Sequence, residues 1–117
     1  MENSVIYLLE KSGWYPQRNV SIPDNLNEKY KLFSYAVNFI CEYTGLTISF
    51  DNPKNKKFIS NLIINPRIAD EEIPDIVLKS YEYHINSKLV PVAVIQEYSM
   101  VICMSETFSG IFMVFSI

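Results

Sequence analysis

The stretch that most constrains the fold runs from Asn25 to Phe50, where a helical pattern meets a strand pattern across one glycine. Leu26, Tyr30, Phe33, Ala36, Val37, Ile40 and Tyr43 recur at intervals of three and four, so they share one helix face, which Phe39 and Cys41 widen. Asp24 or Asn25 supplies a cap at the start. Gly45 ends the helix, and the β-rich alternation Leu46-Thr47-Ile48-Ser49-Phe50 predicts a strand directly after it. A chain with this junction is neither all-helical nor all-β.

The flanking segments extend the pattern. Residues 3–13 read as a short helix with Asn3 or Ser4 as cap, Val5, Ile6, Leu8 and Leu9 as its apolar face, and Gly13 at its left-handed end. Pro16 and Pro23 keep residues 14–25 irregular. After the first strand, Asp51–Lys57 form a polar turn and Phe58–Asn65 a second strand, as a hairpin. Residues 66–86 read as a loop and a third helix, with Pro74 in its first turn and Ile76, Val77, Tyr81 and Ile85 facing inward. Three short apolar runs then form an antiparallel meander. The expected fold is α+β over residues 1–117: a mostly antiparallel sheet of about five strands, with three helices packed against it.

The net charge of −3 argues against nucleic-acid binding, which favours a basic face. Between Asn65 and Asn86 there are five acids (Asp70, Glu71, Glu72, Asp75 and Glu82) and two bases, while the rest of the chain is balanced. Asp70, Glu71, Glu72 and Asp75 are expected at the positive end of the third helix. Cys41 and Cys103 lie far apart among apolar neighbours, as buried reduced thiols do, and match neither a disulfide framework nor a zinc pattern. The N-terminus has no signal-peptide pattern. No apolar run approaches the ~20 residues of a membrane span. A cytoplasmic protein is expected.

Catalytic patterns are absent from the sequence. His84, the single histidine, has no His or Cys at helical spacing for a metal, and no G-x-S-x-G accompanies it. The three glycines form no phosphate loop. Glu71 and Glu72, adjacent in sequence, point apart on a helix and read as solvated first-turn acids. Three lysines in Asp51–Lys57 read as a solvated loop tip, without the aromatics of a nucleic-acid site. No cofactor is implied. Trp14, the single tryptophan, follows the helix-ending Gly13 and is expected to fold back over the core. Arg18 then either holds a carboxylate such as Glu42 or stacks on the indole.

Taken together, these segments resemble the SUKH superfamily of bacterial immunity proteins, and its third subgroup best. Residues 8–20, LLEKSGWYPQRNV, are similar to the subgroup's opening, with Gly13, Trp14, Pro16 and Arg18 carrying the likeness. Residues 36–50 are similar to its helix-to-strand segment through Gly45 and Leu46. Residues 80–95 resemble the later helix that enters a strand through Leu-x-Pro-Val, here with Pro91, and residues 100–115 resemble the final hairpin. Ala93 stands where the group commonly has glycine. The chain also stops at Ile117, where relatives usually continue into a further segment with a C-terminal helix, as either a truncated member or a natural short form would.

The resemblance implies an antitoxin role without catalysis: direct binding and neutralisation of a cognate toxin, a nuclease or a deaminase. A basic toxin would match the acidic segment, with Asp70, Glu71, Glu72 and Asp75 facing it and Tyr83 as an aromatic anchor. A general interaction or regulatory domain with a non-toxin partner is the alternative. If the last strand is left uncovered, its apolar edge offers a homodimer contact.

Overall fold

The computed structural model describes residues 3–22, 24–51, 57–107 and 112–116. In chain order the elements are α1 (Asn3–Lys11), α2 (Asp24–Tyr30), α3 (Ser34–Tyr43), β1 (Thr47–Asp51), β2 (Ile59–Ile64), α4 (Pro66–Glu72), α5 (Asp75–Ile85), β3 (Leu89–Ile95), a 3-10 turn (Gln96–Tyr98), β4 (Met100–Ser105) and β5 (Phe112–Ser116). The class is α+β, as expected. The strands form one antiparallel sheet in the order β1-β2-β3-β4-β5, so spatial order follows chain order.

The central strand β3 is the most apolar, LVPVAVI, and all its residues except Ile95 are buried. A near-continuous apolar run is what a strand covered on both faces requires. Pro91 sits inside it, opposite Cys103, and the register shifts between Pro91 and Ala93. That irregularity accommodates a residue with no N–H to give to the ladder. Leu26 and Tyr30 from α2, Ala36 and Ile40 from α3, Ala69 from α4 and Leu78 from α5 join β3 and β4 in one core cluster.

Among the described residues the helices differ from expectation in number, five against three. The predicted long helix is broken at Lys31–Phe33 into α2 and α3. Tyr30 before the break and Ala36 after it are both buried. Lys31 takes a left-handed φ of 48°, and Lys88 Nζ donates to its carbonyl at 2.6 Å. Beyond the break, the Tyr35 hydroxyl donates to the Ser105 carbonyl at 2.8 Å, tying α3 to the end of β4.

The expected loop over residues 66–72 is helix α4. Asn65 caps it, accepting from the N–H groups of Arg67 (3.0 Å) and Ile68 (3.3 Å), and Pro66 occupies its first turn. Pro74 is therefore not inside a first helical turn but in the N-cap position of α5, with ψ of 142°. The proposed caps Asn3, Ser4, Asp24 and Asn25, and most of the Asp51–Lys57 turn, lie outside the described side chains.

Candidate functional site

Gly13 closes α1. The N–H of Trp14 donates to the Leu9 carbonyl at 2.9 Å and that of Gly13 to Glu10 at 3.1 Å, the two bonds of a Schellman motif. Gly13 carries φ of +107°, which a side chain disfavours. The motif turns Trp14, half-buried, onto the core cluster, and its indole N–H donates to Glu42 Oε2 at 2.9 Å. Arg18 neither takes that carboxylate nor needs the indole. Its two terminal nitrogens donate to the backbone carbonyls of Glu42 (2.6 Å) and Thr44 (2.7 Å) at the end of α3. Gly45, φ +89°, passes beside this guanidinium, and Leu46 is buried. The Gly13, Trp14, Arg18, Gly45 and Leu46 set thus joins α1 to the α3–β1 junction, while Pro16 is exposed in the turn between Trp14 and Arg18.

The acidic segment is divided by Ile73 and Pro74. Ile73 is buried and anchors the division. Asp70, Glu71 and Glu72 end α4, and only Asp75 lies in the first turn of α5, which corrects the expectation that all four crowd one positive helix end. Asp70 is turned inward, with a side chain only 23% exposed: Lys29 Nζ donates to it at 2.9 Å, and the Tyr30 hydroxyl donates to the same oxygen. Lys29 also reaches Asp75 at 3.3 Å, so one amine fastens α2 to both α4 and α5. The Lys29 amine is held above its ordinary range chiefly by the Asp70 hydrogen bond, and burial, then Asp70, pushes the Tyr30 phenol up. Glu71 and Glu72 are exposed. Glu82 is directed to the α5–β3 connection, where it accepts from the Leu89 N–H at 2.8 Å.

Tyr83 is 84% exposed on the outer side of α5. Ile76, expected to face inward, is 79% exposed instead. Seven residues bring a helix back to within about 20° of the same direction, so Ile76 and Tyr83 share an outer face opposite buried Leu78. The helical wheel carried that signal: Leu78 and Ile85 define the inner stripe, and Ile76 falls across from it. Asp75 stands in the first turn of α5 next to Ile76 in the chain, and Glu71 and Glu72 end the preceding α4. His84 holds the Ser80 carbonyl through Nδ1 at 2.7 Å and meets the Tyr83 ring edge-on at 5.8 Å.

A groove of about 350 Å³ runs between α2 and α5, with Lys29, Asp75, Lys79, Glu82 and Lys88 over Tyr30 and Leu78. Its charges alternate in sign, and Lys29 and Asp75 pair with each other. His84 is not among its lining residues. Among the described residues no cluster of His, Cys, Asp or Glu could hold a metal ion. Cys103 is buried, which pushes its thiol well up from the ordinary range, while Cys41 is only half-buried. No described helix is long and apolar enough to cross a membrane.

The family model described as SUKH-3 immunity protein matches residues 1–113. No curated protein and no solved structure matches the chain.

Proposed function

The chain belongs to the SUKH-3 immunity protein family, and from that premise we propose that it neutralises a cognate toxin by direct protein–protein contact, inside the cell that makes both. The surface offered to the toxin is the outer face of α5 with the adjoining end of α4: Ile76, Tyr83, Glu71, Glu72 and Asp75. The observation that carries this reading is the pairing of Ile76 and Tyr83, two large apolar side chains presented to solvent one heptad apart on a helix whose first turn holds Asp75. Exposed tyrosine is a frequent hot-spot residue, because its ring desolvates well and loses little rotamer freedom. The acids set the sign of the partner. A basic toxin fits, as nucleases and nucleic-acid deaminases are drawn to phosphate by Lys and Arg. Opposite potentials speed capture. The same acids disfavour a second copy of this chain on that face. Asp70 contributes through Lys29 and Tyr30, by holding α4 against α2, rather than as a free charge. The role is binding, with no catalytic residue assigned.

The test takes as its partner a toxin domain found by examining the reading frames that neighbour this gene. The native chain should rescue growth of cells expressing that domain and bind it in a salt-sensitive manner. Reversing Glu71, Glu72 and Asp75 to Lys should slow association about tenfold or more at low salt and flatten its salt dependence. Failure of the native chain to bind or protect would overturn the reading, and unchanged kinetics in the triple variant would remove the acids from the interface.

A further inference from the structure

Beside the end of α4, where the β3–β4 turn comes close to it, lies a pocket of about 200 Å³ lined by Glu72, Val94, Gln96, Ser99 and Met100. That volume is below the roughly 300–1,000 Å³ of small-molecule sites and suits a single long side chain. Its lining is graded in polarity. Val94 is buried and Met100 half-buried, whereas Glu72, Gln96 and Ser99 are exposed. Those three side chains bring a carboxylate, which only accepts, and an amide and a hydroxyl, each of which can accept as well as donate. Glu72 is the only ionisable residue in the lining, and no ion pair to it occurs among the described residues. The far wall is set by backbone. Ser99 is left-handed, its N–H donates to the Gln96 carbonyl at 3.0 Å, and Met100 pairs with Ile95 in the sheet. A wall fixed in this way costs little ordering on binding.

We infer that this pocket receives an arginine side chain of the partner protein. The inference rests on the binding function proposed above and names the chemistry of one contact within it. An arginine lays its methylene stem along Val94 and Met100, and its guanidinium presents a planar fork of five donors to the Glu72 carboxylate and the neighbouring oxygens. A lysine brings the charge without the fork. An acidic side chain is repelled by Glu72, and an apolar one buries that carboxylate without a partner.

The experiment titrates isotope-labelled protein with N-acetyl-arginine methylamide and, separately, with its uncharged isostere N-acetyl-citrulline methylamide, reading backbone amide shifts. The arginine probe is expected to shift the amides of Glu72, Gln96, Ser99 and Met100 saturably at millimolar concentration, and the citrulline probe not to. Glu72→Gln should weaken the arginine probe about tenfold. Because Glu72 is exposed and makes no ion pair among the described residues, this variant is expected to keep the fold, which the same spectra verify. Absence of saturable shifts, equal shifts from the citrulline probe, or no effect of Glu72→Gln would each overturn the assignment. With the toxin domain, Glu72→Gln should speed dissociation about tenfold. If Tyr83→Ala weakens that complex and Glu72→Gln leaves it unchanged, the pocket assignment fails and the binding function stands. If the native chain does not bind the toxin, the binding function fails, and the arginine titration alone decides the pocket.

Discussion

The indole nitrogen of Trp14 lies 2.9 Å from a carboxylate oxygen of Glu42, across 28 positions of sequence. The contact joins the end of the first helix to the last turn of α3. Trp14 is half-buried rather than enclosed, so truncation removes less than the ~3–5 kcal/mol of a fully buried ring. Trp14→Ala should cost about 2–3 kcal/mol, and Trp14→Phe, which keeps most of the ring area and drops the hydrogen bond, about 1 kcal/mol. Urea unfolding of the three proteins measures both.

Arg18 spans two carbonyls that a lysine reaches only one at a time. Arg18→Lys should destabilise by about 1–2 kcal/mol, the loss of one charge-assisted bond and of the fixed fork. The urea midpoint should fall with the slope unchanged. A variant of native midpoint would show that water replaces the missing donor.

Gly13 isolates the conformational term. A Cβ built there meets only Leu46 Cδ2, at an ordinary 3.6 Å, so space is available and the φ of +107° is the obstacle. Gly13→Ala should therefore cost about 1–2 kcal/mol from backbone strain alone. Calorimetric or urea unfolding tests this, and a neutral outcome would mean that the helix end relaxes to another geometry.

The Lys29, Tyr30 and Asp70 cluster predicts alkaline sensitivity. Below pH 10 the Tyr30 phenol is protonated both folded and unfolded, and its contribution is intact. Above its ordinary value of 10.0 the unfolded phenol ionises, while the folded one is kept protonated by burial and by Asp70. The unfolded state then gains, and stability falls by up to about 1.4 kcal/mol per pH unit for each such group. Lys29, raised above 10.5 chiefly by Asp70, acts in the same direction as its ammonium is lost. Cys103, raised above 9.0 by burial, does so from a lower pH. Tyr30→Phe should lose about 1–2 kcal/mol at pH 7 and show a shallower decline between pH 10 and 11. Urea midpoints across pH 7–11 provide the comparison, and parallel declines in the two proteins would contradict the role of Tyr30.

Ile76 and Tyr83 contribute little to the fold if their place is on a binding surface. Ile76→Ala and Tyr83→Ala should each change stability by less than about 0.5 kcal/mol, while weakening toxin binding. A loss of stability above about 1 kcal/mol would place the side chains in an internal contact instead.

Sequence alone determined the class, the strand runs, the positions of the glycine helix ends and the family likeness, because these rest on local periodicity and on φ angles that few residues accept. It also carried the clue to α4 in Asn65-Pro66, a cap followed by a first-turn proline, and the clue to outward Ile76 in its place on the wheel. Only the tertiary structure decided where one helix became two. The seven apolar residues from Leu26 to Tyr43 fit a single face, yet the chain turns at Lys31, whose φ is left-handed and whose carbonyl accepts from Lys88, 57 residues away. Asp70 was likewise separated from Glu71 and Glu72 by partners on α2 that no local pattern announces. Such assignments depend on which distant groups meet once the sheet and helices are assembled, and chain spacing carries no record of those distances.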